Sequence, residues 1–481
     1  MSWPWTVASW LSKNTSMAEM TKTEWHDLRE RLLFKTDLSA FSNECEHVRK
    51  HYGDEFPRSS EARKLEIGAI LSELTLDLLS YLPRWRLQDP ANPVRLSDEE
   101  IREQAERNCR LLVCWGMENK VESMRSAARA IARSNLLKLS RMTDLGLINN
   151  RWGNDAAVGL TDAVRRGAVL VTTNPIMINA VRKDDPATWD RVREEFKRAL
   201  PGSSPEQRAS LMTMSVVLEN CRELRPIYEA TKGAYGYVSL QINPRANREA
   251  SRMAEEVEDL YDRLTQELHG PPNAVFKIPA TRAGLEAVRR LTSKGIGCTV
   301  TVNCSVDQNL AFGEVIEQGC ARLSFLVVMT GRLDDPIRDE LRERGLTDAS
   351  QVAKWASTAV LRRSYELLYR QKKYKKSALL TASLRGPWNI EGSITNEEAP
   401  VFITCFPDKA REYDSVEREM TARIREEIPD ELMTKLMRSR IFRQAYEAGG
   451  LTPDGFDTFY PVVATLDAFS KSYDEFLEYN R

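Results

Sequence analysis

From about Leu145 onward, short apolar runs alternate with longer stretches whose apolar residues recur every three or four positions. The short runs read as strands and the longer ones as amphipathic helices, the rhythm of a parallel sheet. Eight runs qualify: Leu145–Asn150, Ala168–Thr173, Gly236–Ile242, Ala274–Pro279, Cys298–Asn303, Arg322–Val328, Ser377–Ser383 and Val401–Phe406. The clearest intervening helix spans Asn247–Leu268, with Met253, Val257, Leu260, Leu264 and Leu268 on one face. Eight strands alternating with helices predict an α/β fold, a closed (β/α)8 TIM barrel with its chemistry at the C-terminal strand ends. Helices after Tyr413 are expected outside the barrel or over its mouth.

Residues 1–140 carry only the helical period. Ile67, Ile70, Leu71, Leu74 and Leu78 form a stripe that must be buried. Pro83, Pro90 and Pro93 interrupt the pattern, and Ser97 followed by Glu100 restarts it as a capping box. The division expected is therefore a helical N-terminal extension of unknown role, 1–140, and a barrel with C-terminal helices, 141–481. Trp3, Trp5, Trp10 and Trp25 are expected to be buried within the chain rather than to face a partner.

Composition narrows the function classes. Sixty-nine Lys+Arg against 70 Asp+Glu leave a net charge of −1, which gives no electrostatic argument for nucleic acid as a partner. No apolar run is long enough for a membrane span, and the aromatic start lacks the marks of a signal peptide. Eight cysteines without a C-x-x-C pair fit reduced thiols in a cytoplasmic protein. The four histidines, His26, His47, His51 and His269, offer no cluster for a metal. Phosphate-binding glycine loops are missing too, so no cofactor is indicated. The basic run Arg370–Ser377 reads as a solvated helix end.

The chemistry centres on the stretch Asn273–Ser305. It reads strand, helix, strand, with Lys277 in the middle of an apolar strand beside a second strand whose Thr299, Thr301 and Asn303 share a polar face. The plainer reading of such a lysine is a salt bridge. The sharper one is a desolvated amine, neutral enough near pH 7 to form a Schiff base with a carbonyl.

"KIPATRAGLEAV" followed by "GIGCTVTVNCSVDQ" resembles the transaldolase family, class I aldolases that form a Schiff base from the lysine matching Lys277. The resemblance implies the barrel fold and carbohydrate chemistry of the pentose-phosphate kind, with a sugar phosphate or related anionic ketose as the ligand. It also implies further roles. Asp155, which alone would pass for a helix cap, matches the aspartate that moves the proton of C–C cleavage. Thr172, Thr173 and Asn174 match pocket-lining residues, Thr301 a threonine that holds a catalytic water, and Thr299 a substrate contact. Arg332, Ser383 and Arg385 match the phosphate site, which guanidinium forks suit. The plainer reading of Arg332 is an ion pair with Asp334 or Asp335.

Three positions depart from the pattern. Gln241 stands where transaldolases carry a proton-shuttling glutamate, although fructose-6-phosphate-aldolase-like relatives also have glutamine there. Met329 replaces the tyrosine of those relatives, and Val327 replaces a serine. Strand alternation puts Gln241 inside with Lys277, so Gln241→Glu is expected to favour transfer to an acceptor. Two readings follow: a Schiff-base transferase or aldolase, or a weakened barrel serving as a sugar-phosphate-binding or regulatory subunit. Donor, acceptor and oligomeric state, a homo-oligomer included, stay open.

Overall fold

The computed structural model describes residues 17–87 and 96–481; Trp3, Trp5, Trp10, Pro90 and Pro93 lie outside that range. Two compact units divide the chain. One comprises the residues up to Lys138 together with Thr161–Ala168 and Glu223–Gly236; the other comprises Leu139–Leu160, Val169–Arg222 and Tyr237–Arg481.

The first unit is helical over its described residues. Ser97 opens the helix Asp98–Cys114 as a capping box. Its hydroxyl accepts from the Glu100 N–H at 3.1 Å, and the Glu100 carboxylate accepts from the Ser97 N–H at 2.6 Å. The helix Glu61–Leu78 buries Ile67, Ile70, Leu71, Leu74 and Leu78 as its period predicts, and buries Thr75 and Asp77 as well. Polar groups on so enclosed a helix must be paired. Asp77 accepts from Trp25 Nε1 at 2.7 Å and from Arg165 Nε at 2.8 Å, and Thr75 accepts from Asn108 at 3.1 Å. Trp25 is buried here under two guanidinium groups, those of Arg29 and Arg165.

In the second unit eight parallel strands close a barrel in sequence order. They are β1 (Asn150–Asn154), β2 (Leu170–Thr172), β3 (Tyr237–Gln241), β4 (Ala274–Pro279), β5 (Cys298–Thr301), β6 (Ser324–Met329), β7 (Ser377–Ala382) and β8 (Val401–Cys405). Seven lie on the expected runs. The first does not, and the reason is a helix ending. The N–H of Leu147 bonds Met142 C=O and that of Gly146 bonds Thr143 C=O, each at 3.0 Å, with Gly146 at φ +69°. This left-handed Schellman ending closes the helix Asn135–Asp144 and leaves Leu145 and Leu147 exposed. The strand starts only at Asn150, so Asp155 directly follows β1. Within β1, Gly153 lets β2 approach closely: a Cβ there would stand 2.4 Å from the Leu170 carbonyl oxygen.

The strand expected at Cys298–Asn303 ends at Thr301, because Val302 adopts φ +54°. Asn303 therefore leaves the strand face and donates to Asn309 Oδ1 at 2.7 Å. The helix Arg282–Ser293 is capped by Thr281 and packs tightly on β4, where a Cβ at Gly284 would come 1.9 Å from Pro279 O. In the basic run, Lys376 caps carbonyls of the helix Val306–Gln318, donating to Glu317 O and Gly319 O at 3.0 and 2.7 Å. All eight cysteines are free, with Cys114 and Cys320 exposed. No described helix is long and apolar enough to cross a membrane.

Candidate active site

Lys277 sits in β4, every residue of which is buried. Register places Gln241 of β3 on one side of it and Thr299 of β5 on the other. Its Nζ donates to the Thr173 carbonyl at 2.8 Å, just beyond the end of β2. Burial pushes the lysine pKa down, and the Asp155 carboxyl opposes that shift. The Asp155 pKa is displaced the other way: burial raises it, against the pull of Lys277, Thr172 and the Ser383 backbone. Opposite displacements of an acid and a base in one buried site narrow the gap between their proton affinities.

Asp155 is aimed by its neighbours. Its N–H donates to Cys405 C=O at 2.8 Å, tying it to the end of β8. Its Oδ1 accepts from the Thr172 hydroxyl at 2.5 Å. Thr172 is the last residue of β2, so two adjacent strand ends fix the carboxyl.

These groups open on one cavity of about 120 Å³, whose wall includes Asp155, Thr172, Asn174, Lys277, Thr301, Arg332 and Ser383. Asn174 does two things. Its Oδ1 accepts from the Met177 N–H at 3.1 Å and caps the helix Pro175–Asp184, while the residue also faces the cavity. Among the described residues, the Thr301 hydroxyl meets the Met329 sulfur, at 3.7 Å. Arg332 forms no ion pair or hydrogen bond among the described residues; its guanidinium lies 5.9 Å from the Phe469 ring centroid. Ion pairing of Arg332 with Asp334 or Asp335 is therefore not what the fold uses. Burial and the nearby Arg385 lower the Arg332 pKa, against an upward pull from the Asp335 carboxylate. Ser383, at φ +60°, completes this end.

Four expected residues are off the wall. Thr173 presents its carbonyl to Lys277 but turns its hydroxyl to Ser239 O, at 2.9 Å. Thr299 lies deeper in the barrel, accepting from the Ser239 hydroxyl at 2.9 Å. Arg385 is occupied by Asp335, at 2.7 Å. Gln241 donates to Ile242 O at 3.2 Å, its Oε1 has no hydrogen-bond partner among the described residues, and it lines a separate small chamber with Glu256 and Tyr473. Its register opposite Lys277 is the one strand parity predicts.

Other wall residues escaped the sequence reading: Ile176, Met177, Phe406 and Phe469. Phe406 directly follows β8, so the rule of inspecting strand ends could have found it. Phe469 belongs to the helix Tyr460–Tyr479, and nothing local in the sequence ties that helix to the barrel mouth.

A family model described as transaldolase/fructose-6-phosphate aldolase matches residues 160–460. A transaldolase of Parafrankia sp. (strain EAN1pec) is 28% identical over 240 residues, 47% of this chain and 61% of that protein. One of Neisseria meningitidis serogroup C (strain 053442) is 31% identical over 163 residues, 34% of this chain and 44% of the other. One of Thermobifida fusca (strain YX) is 33% identical over 144 residues, covering 30% and 37%. The chain thus spans between 37% and 61% of the length of these relatives. With a family match across most of a closed eight-stranded barrel, the chain belongs to the transaldolase/fructose-6-phosphate aldolase family.

Proposed function

We propose that the protein forms a Schiff base between Lys277 and an anionic ketose, a sugar phosphate, and cleaves or transfers a dihydroxyacetone unit. One observation carries the reading: a desolvated lysine and a buried carboxyl share a cavity whose wall also holds a guanidinium, that of Arg332, without an ion pair among the described residues. The neutral amine of Lys277 adds to the C2 carbonyl, and loss of water gives the iminium ion. That fixed positive charge lowers the pKa of Asp155, which then takes the C4 hydroxyl proton as the C3–C4 bond breaks. The iminium nitrogen accepts the electron pair, leaving an enamine. Protonation and hydrolysis release it; addition to an acceptor aldehyde transfers it. Arg332 and Ser383 hold the phosphate, and Thr301 the water.

A second reading, a barrel that binds the anion without turnover, draws on the absence of Gln241 from the cavity wall. Borohydride reduction in the presence of fructose 6-phosphate, followed by peptide mass spectrometry, separates the two. The proposal expects an adduct on Lys277 that vanishes in Lys277→Arg, whose guanidinium stays protonated. An unmodified Lys277, or an adduct persisting elsewhere in Lys277→Arg, would reject it.

A further inference from the structure

We infer that Phe469 is a specificity-determining residue, the roof of the anion end of the cavity. The inference rests on Arg332 being the anion site of the proposed function but not on Schiff-base chemistry. Phe469 is 3% exposed, lines the cavity and lies over the Arg332 guanidinium, which has no ion pair among the described residues. An aromatic ring in that place does two things. It covers the face of the cation, so an anion can be met only through the N–H edge, the geometry a forked guanidinium offers to a terminal phosphate. It also excludes water, and a charge-assisted contact is stronger where solvent does not screen it.

The roof is held in place from outside the cavity. The helix Tyr460–Tyr479 packs against the helix Pro175–Asp184, which starts at the cavity wall with Asn174 as its cap. Asn179 Nδ2 donates to Glu475 at 3.0 Å, and Lys183 pairs with the same carboxylate at 3.1 Å. Arg182 and Arg193 lie 4.3 and 4.5 Å from the Tyr479 ring centroid, and Arg245, beyond β3, pairs with Asp474. Arg208 donates to the Asn480 carbonyl at 2.6 Å. So many tethers on the second half of the helix fix the height of Phe469 above Arg332. The roof thus sets how large an end group fits and how dry its contact is.

The test measures inorganic phosphate and fructose 6-phosphate affinity by calorimetry for wild type, Phe469→Ala and Phe469→Leu. It adds the ratio of kcat/KM for fructose 6-phosphate to that for unphosphorylated fructose. Phe469→Ala is expected to weaken phosphate binding at least tenfold and to lower the ratio by a similar factor. Phe469→Leu, which keeps an apolar cover without a π face and is the safer variant for folding, is expected to lose less. Wild-type phosphate affinity in both variants would overturn the inference, as would a wild type that binds no phosphate. A protein that binds phosphate in the expected order but traps no ketose on Lys277 would reject the catalytic proposal while leaving Phe469 as the roof.

Discussion

Asp335 holds Arg385: its carboxylate accepts from Nη2 at 2.7 Å and from Nε at 3.1 Å. Arg332, one turn earlier on the same helix Thr330–Glu343, is left to the cavity. The two arginines that resemble one phosphate site therefore differ in their starting state. On the proposed function, a phosphate would meet Arg332 without breaking an ion pair, whereas Arg385 would have to give up a carboxylate.

Unequal losses follow from that difference. A hydrogen bond to a charged group is worth about 1.5–3 kcal/mol, so Arg332→Ala should raise the KM of a phosphorylated donor by about 10–100-fold. Arg385→Ala should raise it by less than about fivefold, the effect of an exposed or already neutralised charge. Michaelis constants of the two variants, taken side by side, decide it; equal losses would mean that Arg385 leaves Asp335 in the complex.

The Lys277–Asp155 relationship predicts a pH shift of definite sign. Burial lowers the lysine pKa, and the Asp155 carboxyl pulls it back up. Asp155→Asn removes the upward pull, so the amine is neutral at lower pH than in wild type. The acid limb of imine trapping on Lys277 should move to lower pH, while turnover falls about 10²–10⁴-fold for want of the proton acceptor. Trapping measured from pH 5 to 9 shows this; an acid limb displaced upward would contradict the coupling.

Much of this site was legible before the fold was known, because it depends on short-range order. The alternation of Ala274–Pro279 places Lys277 in a buried strand whatever its neighbours do, and the strand is where that alternation puts it. The first strand begins later than its apolar pattern predicts because the run around Gly146 has the composition of a strand but ends a helix. Three-dimensional choices were not legible. Whether Asp335 would take Arg332 or Arg385, and which helix would roof the cavity, depends on residues far apart in sequence. Gln241 keeps the register that strand parity gives it, opposite Lys277, but that it also borders a second chamber with Glu256 and Tyr473 depends on residues far away in sequence.

Ser383 stores backbone strain at the anion end. A residue other than glycine at φ +60° costs about 1–2 kcal/mol, because its Cβ crowds the following carbonyl. Its carbonyl is held there by the Thr330 hydroxyl and the Gly331 N–H, each at 3.0 Å. Ser383→Gly should raise stability by roughly 1 kcal/mol and yet weaken phosphate binding through loss of the hydroxyl. Thermal melts and phosphate titration must move in opposite directions; a variant that melts lower than wild type refutes the strain argument.

In the helical unit, His26 sets an acid limit. Burial, with help from Arg29, Lys22 and Arg165, pushes its pKa down to about 2. The unfolded value is about 6.5, so below that pH the unfolded chain binds a proton that the folded one refuses. Stability of the helix Met17–Glu30 should therefore decline steadily as pH falls from about 6.5. Hydrogen exchange of that helix at pH 7, 6 and 5 should show the decline, and His26→Leu should flatten it. Protection that increases on acidification would show the imidazole to be charged in place.

Gln241 decides whether a carboxylate can be restored beside the lysine by a single change. Gln241 lines a chamber with Glu256 and Tyr473, and its Oε1 and the Tyr473 hydroxyl have no hydrogen-bond partners among the described residues. Burial raises the Glu256 pKa, even though the carboxyl accepts from Ser210 at 2.7 Å and from the Asn243 N–H. Gln241→Glu would place a second acid at that chamber, next to Glu256. Its proton is then retained at neutral pH, since desolvation and a like charge both disfavour ionisation. The sign for stability follows. Carboxyls whose folded pKa lies above the unfolded value contribute stability at low pH, and that contribution is lost as pH rises through the folded pKa. The variant should melt close to wild type near pH 5 and fall below it by roughly 1–3 kcal/mol at pH 8, the free energy of keeping the buried carboxyl protonated where the unfolded chain has released its proton. Transfer from a ketose phosphate to an acceptor aldehyde should not increase, contrary to what strand parity implies. Melting at both pH values and transfer rates with the same donor test the two halves separately. A rise in transfer with no loss of stability at pH 8 would mean that the side chain at 241 turns into the Lys277 cavity when substrate is bound.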